Sequence, residues 1–213
     1  MSRLAQAYHH SSPQPQPIAA FSFAMPVLLF YFDFYSPGAY CLFHRFPQAL
    51  AGLSWHVQYR PIVISNPALQ QRAAIEHAAQ QNGLSLQWPA SPLRDSTAWA
   101  HMALAASPHG QPGRQICETL LSAIWQHGDN PDDETVQQQA WQAATSLLPH
   151  VRERSHPAIT QELERFKQEA ATCGFDSKCG LVVLSSLSHA QPAVFTENIN
   201  NFDALRTAVS LHQ

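Results

Sequence analysis

Ser36 is a hydroxyl set between an apolar run and a proline, and that placement gives it chemistry. Residues 27–34 are almost continuously apolar, the pattern of a strand covered on both faces. The run stops at Ser36 and Pro37, where a fixed φ and a missing backbone donor end a strand and suit a helix start. Beyond it Leu42, Phe43, Phe46, Ala49 and Leu50 recur at helical spacing. Ser36 therefore lies at a strand-to-helix junction. Unpaired N–H groups and the positive end of the helix dipole converge there, and both stabilise an anion or a thiolate. Serine also caps helices whatever the function, so a purely structural role stands beside the chemical one.

The cysteines offer a second route to thiol chemistry. Cys41, Cys117, Cys173 and Cys179 include no Cys-x-x-Cys pair. Cys173 and Cys179 flank Gly174 and could close a small disulfide loop in an oxidising compartment. Cys179 follows Lys178, whose charge would favour a thiolate, and the plainer alternative is a small buried cysteine. Cys41 and Cys117 read as core. Tyr35, Tyr40 and Trp88 read either as lining of an aromatic pocket or as ordinary core. No Gly-x-Ser-x-Gly pattern or recognisable base accompanies Ser36, which argues against a serine-hydrolase triad. The 12 histidines are scattered without metal-site spacing. Asp129, Asp132, Asp133 and Glu134 read as the charged start of a helix rather than a metal site.

The elements that must position these residues follow the same logic. Strands are expected near 27–34, 55–60, 181–185 and 192–196, with helices near 39–50 and 201–211. Residues 67–172 are helical in pattern almost throughout. Within them, Asp95, Ser96 and Thr97 offer N-caps for a helix running to Ala106, and further helices read near 114–127, 132–147 and 157–172. Strand–helix–strand, a helical stretch, then strand–strand–helix predicts an α/β chain with a thioredoxin-like domain and an inserted all-helical domain. The expected divisions are a disordered tail over 1–24, a thioredoxin-like domain from 25–66 and 174–213, and a helical insertion over 67–173. Met25, just before the first strand, is an alternative translation start.

At 213 residues and 45% hydrophobic content, the chain can bury a substantial core. A net charge of −3, with 12 lysines and arginines together, gives no basic footprint for nucleic acid and no polybasic membrane signal. Residues 1–24 lack the basic and apolar regions of a secretory signal, and no apolar run approaches the roughly 20 residues that span a bilayer. A cytoplasmic protein with reduced thiols is expected.

The segment Asp33, Phe34, Tyr35, Ser36, Pro37, Gly38, Ala39, Tyr40 resembles the Asp-Phe-x-Ser-Pro-x-x-Tyr opening of the glutathione-dependent 2-hydroxychromene-2-carboxylate isomerases. These are relatives of kappa-class glutathione transferases in the DsbA-like branch of the thioredoxin superfamily. Other stretches resemble the family too. Residues 55–60 with Pro61 are similar to its second strand, 84–97 to its early helical insertion, Ile124, Trp125 and 129–132 to its mid-insertion helix and loop, and 202–205 to its final helix. The resemblance implies a glutathione cofactor, a small-molecule substrate derived from an aromatic compound, and compatibility with a homodimer. It implies that Ser36 hydrogen-bonds the glutathione sulfur, and that Asn66, Cys179, Gly180 and Asn198 lie around the tripeptide. A thiol-disulfide oxidoreductase or glutathione transferase is the first alternative, and a non-catalytic binding protein of the same fold is the second.

Two positions depart from that pattern. Gly180 stands where relatives carry a cis-proline before the third strand, with Gln191 and Pro192 as the other way to align that step. Residues 197–201 contain no arginine where relatives carry an Asp-Arg step that holds the γ-glutamyl end. A glycine loop would be free before binding, and ordering it would cost about 1–2 kcal/mol per residue. Glutathione binding weaker than the family norm is expected.

Overall fold

Four strands, β1 (Val27–Phe32), β2 (His56–Pro61), β3 (Gly180–Leu184) and β4 (Ala193–Thr196), make one sheet in the order β2-β1-β3-β4. β1 pairs parallel with β2 and antiparallel with β3, and β3 pairs antiparallel with β4. The computed structural model of the chain describes residues 25–65, 72–107, 110–146, 148, 155–184, 191–197 and 202–211. With a neighbour on each side, β1 is buried along nearly its whole length, which is why its sequence is apolar without alternation. Pro61 closes β2 at the edge of the sheet, where a missing donor is tolerated.

Helix α1 (Pro37–Ala49) starts at the proline itself, two residues earlier than the periodicity predicts, because Ser36 supplies the cap. It packs its aromatic side chains on the sheet: Phe46 lies 5.6 Å from Phe30, and Phe30 stacks on Phe32 at 5.0 Å. Between β2 and β3 come α2 (Arg72–Gln81), α3 (Thr97–Ala105), α4 (Arg114–Trp125), α5 (Glu134–Ser146) and α6 (His156–Thr172), and α7 (Phe202–Ser210) follows β4. Residues 84–96, inside the stretch expected to be helical almost throughout, contain no helix, and the helix expected after Ser96 follows them as α3. Pro89 and Pro92 each remove a donor and bias the preceding residue away from helix. Instead the segment is pinned by the Gln87 N–H donating to the Trp125 carbonyl at 2.7 Å.

The helices are not a separate layer of oil. One contiguous cluster of buried side chains runs from β1 and α1 through Trp99 of α3, Trp125 of α4 and Phe166 of α6. Both indoles are satisfied: Trp99 Nε1 donates to the Pro131 carbonyl at 3.0 Å, and Trp125 Nε1 donates to the Phe34 carbonyl at 2.9 Å. A polar tie joins sheet to helix where Arg60 of β2 pairs with Glu169 of α6 and donates to the Tyr31 hydroxyl at 2.8 Å. The expected tail over 1–24 lies outside the described residues. Among the described residues no helix is long and apolar enough to cross a membrane.

Candidate active site

The strand-to-helix turn is built by Asp33. Its carboxylate is 4% exposed and accepts two backbone donors, Tyr35 N–H on Oδ1 and Ile64 N–H on Oδ2, both at 2.7 Å. Its carbonyl accepts the Ser36 N–H at 3.0 Å. These bonds take Asp33 and Phe34 out of the strand ladder, which is why β1 stops at Phe32. Burial raises the Asp33 pKa, and the two backbone donors work against that rise. Ser96, also buried, faces the same carboxylate from the start of α3.

Ser36 occupies the N-cap of α1 with φ −91° and ψ 112°, and its Oγ accepts the Ala39 N–H at 3.1 Å. The hydroxyl donates to Glu197 Oε2 at 2.6 Å, a carboxylate that sequence reasoning did not place beside Ser36. Glu197 follows β4 and is held by its own backbone, whose N–H donates to the Cys179 carbonyl at 2.9 Å. Only the β4 register brings it here. The sequence shows it merely as the residue after an apolar run, at a place notable for lacking arginine.

Cys179 meets Ser36 as expected, but not as a reactive thiol. It is fully buried, its Sγ accepts the Asp33 N–H at 3.1 Å, and burial pushes its pKa well above the ordinary thiol range. The nearby carboxylates of Glu197 and Asp33 push it further the same way. Of the two readings of Cys179, the small buried cysteine is the one the structure supports, and activation by Lys178 is not. Gly180 is corrected as well: it is no free loop residue but the first residue of β3, paired with Tyr31 and Thr196. A Cβ there would lie 2.4 Å from the Phe195 carbonyl and 2.5 Å from the Phe175 ring, so glycine is required by close packing. The entropic penalty expected from a free Gly180 does not apply, because the strand ladder already holds that residue. β3 also decides the alignment, since Gly180 and not Pro192 opens the strand beside β1.

A cavity of about 400 Å³ opens beside this cluster. Ser36 and Glu197 line it together with Tyr35, Trp88 and the cations Arg72 and Arg94. The Tyr35 hydroxyl donates to Asp132 at 2.9 Å, which gives one member of the acidic group 129–134 a function in holding the pocket's aromatic side chain. Burial, with Asp132 adding to it, pushes the Tyr35 pKa upward. The Arg72 guanidinium lies 4.9 Å over the Trp88 ring. Tyr40 belongs to the core, its hydroxyl donating to the Ser85 carbonyl at 3.0 Å. Asn66 and Asn198 lie outside the described residues. Asp33, Arg72, Arg94 and Glu197 are the site residues that sequence reasoning gave no role, and the signal for Asp33, a lone acid in an apolar run, was available.

Comparison with known proteins agrees with the architecture. The family profile of the DSBA-like thioredoxin domain matches residues 27–175. Among solved structures, a 2-hydroxychromene-2-carboxylate isomerase superposes with a TM-score of 0.60 at 15% identity, over 87% of this chain and 95% of that one. The cytosolic disulfide reductase DsbM from Pseudomonas aeruginosa, solved with GSH, gives 0.59 at 13% identity, over 87% and 98%. At such identities the likeness speaks for the fold. No curated protein sequence matches the chain.

Proposed function

The chain belongs to the DSBA-like thioredoxin domain family, and on that premise we propose that it works as a glutathione-dependent isomerase of the 2-hydroxychromene-2-carboxylate type. The observation that carries this reading is Ser36 Oγ, a hydroxyl rather than a thiol, at the helix N-terminus and on the lining of a cavity. A volume of about 400 Å³ suits a small-molecule site. The residues present fit glutathione: Arg72 and Arg94 offer charge-assisted bonds to its two carboxylates, and the α1 N-terminus favours a negative sulfur. Tyr35 and Trp88 supply aromatic surface for the second substrate.

When bound, glutathione supplies a nucleophilic sulfur. Ser36 Oγ donates a hydrogen bond to it, while the Ala39 N–H keeps the hydroxyl in position. Arg94 and Arg72 hold carboxylates, and Tyr35, fixed by Asp132, narrows the aromatic part of the pocket. Disulfide exchange is less well supported, because a serine hydroxyl forms no mixed disulfide and Cys179 is a buried, neutral thiol. The test is to follow 2-hydroxychromene-2-carboxylate spectroscopically with the full chain, with and without glutathione. Isomerisation that requires glutathione is expected. Glutathione-independent turnover, or reduction of a model disulfide in its place, would refute the reading.

A further inference from the structure

The Ser36–Glu197 hydrogen bond sets up a problem that the rest of the site solves. A serine hydroxyl has one proton to give and two lone pairs to receive with. In this structure the proton is already given to Glu197 Oε2, at 2.6 Å, and one lone pair takes the Ala39 N–H at 3.1 Å. A thiol entering the cavity therefore meets the remaining lone pair first, as a donor. Ser36 can donate back to sulfur only if Glu197 releases its claim on the hydroxyl, by turning away or by gaining a proton, and a carboxylate that gains a proton does so without moving.

We propose that Glu197 is the proton acceptor of the site, acting through Ser36: as Ser36 Oγ takes the proton from the bound thiol, it passes its own to Glu197 Oε2. The S–H bond breaks with its electron pair left on sulfur, one Ser36 O–H bond forms as the other breaks, and an O–H bond forms on Glu197. The negative charge moves from the carboxylate to sulfur and the total charge of the pocket is unchanged. Afterwards every position of the hydroxyl is filled. Ser36 donates to the thiolate and accepts from Ala39 N–H and from the new Glu197 O–H. This deepens the isomerase reading and rests on it.

The surroundings suit a transfer that keeps its proton inside. Ser36 and Glu197 are only 7% and 9% exposed. Among the described residues, the Asp33 carboxylate just after β1 and the Cys179 thiol before β3 face the pair from neighbouring elements. Arg72 and Arg94 reach the same cavity from α2 and from the segment before α3. Two buried carboxylates close to a thiolate would repel it, and a protonated Glu197 removes its own share of that repulsion. Glu197 is a positioning residue in this scheme, since Ser36 makes the contact with sulfur.

The relay is tested by counting protons, without reference to turnover. Glutathione is titrated into the full chain at neutral pH in two buffers of different ionisation enthalpy, and the bound thiolate is measured by its ultraviolet absorbance. The relay predicts thiolate with almost no proton released from the wild type, because Glu197 retains it, and one proton released per thiolate from Glu197→Gln. Glu197→Asp, which keeps the carboxylate on a shorter arm, should return proton release toward the wild-type value. One proton released per thiolate from the wild type would overturn the relay while leaving the isomerase reading intact, whatever the variants do. Glutathione bound only as a neutral thiol would also overturn it. No binding at all would remove the isomerase reading, and the relay with it.

Discussion

At the scale of single residues, Cys179 shows how little a local sequence cue says about reactivity. A lysine next door is a good reason to expect a thiolate at a surface, yet the thiol points beneath the Asp33 backbone and sees carboxylates instead of the ammonium. The folded protein should therefore protect Cys179 from iodoacetamide, and the residue should become alkylated only when the chain unfolds. Peptide mass mapping checks this, and native-state alkylation as fast as that of free glutathione would contradict it. Ser36 was legible because strand, proline and helix spacing are all local patterns. Glu197 was not, since it contacts Ser36 across 161 positions and only after β4 has chosen its register on β3. Asp33 lies between these cases: its type was visible, but its two backbone partners, one of them Ile64, required the fold.

At the scale of elements, the register of the sheet governs the site. β3 brings Cys179 under the turn, and β4 carries Glu197 to the hydroxyl, so these two strands position half of the polar cluster. Gly180 lets the two strands and the Phe175 ring approach closely enough to do this. Gly180→Ala should cost about 2–3 kcal/mol, as overpacked buried sites do, because the nearest atom is backbone and cannot swing aside. Denaturant titration measures it. A change below about 0.5 kcal/mol would show that the strands adjust freely. The strands and most helices were readable from periodicity, with ends displaced by a residue or two. Residues 84–96 were read only as part of a broadly helical stretch, whereas Pro89 and Pro92 keep them out of helix.

At the scale of the whole molecule, the helical stretch between β2 and β3 is an insertion in chain order but shares one core with the sheet. Trp99 and Trp125 sit in helices of that stretch, and the Trp125 indole holds the carbonyl of Phe34 just beyond β1. We therefore expect one cooperative unfolding transition rather than a helical unit melting apart from the sheet. Tryptophan fluorescence reports the helices, and hydrogen exchange at β1 amides reports the sheet. Coincident midpoints are predicted, and β1 amides that stay protected after the fluorescence change would contradict the shared core. The same continuity makes the site an assembly of the entire chain: its hydroxyl comes from α1, its carboxylate from beyond β4, and its cations from the segments around α2 and α3.

Whether Ser36 holds a glutathione sulfur as thiolate is decided by glutathione binding to wild type and Ser36→Ala. Calorimetry gives the affinities, and ultraviolet absorbance across pH gives the pKa of the bound thiol. Alanine keeps Pro37 and the helix but removes the hydroxyl, at a cap cost of about 0.5–2 kcal/mol in folding stability. Wild type is expected to lower the bound thiol's pKa below its free value. In Ser36→Ala that value should climb back by about 1–2 units, the equivalent of one lost charge-assisted hydrogen bond of about 1.5–3 kcal/mol. Equal affinities and equal thiol pKa values in the two proteins would contradict it.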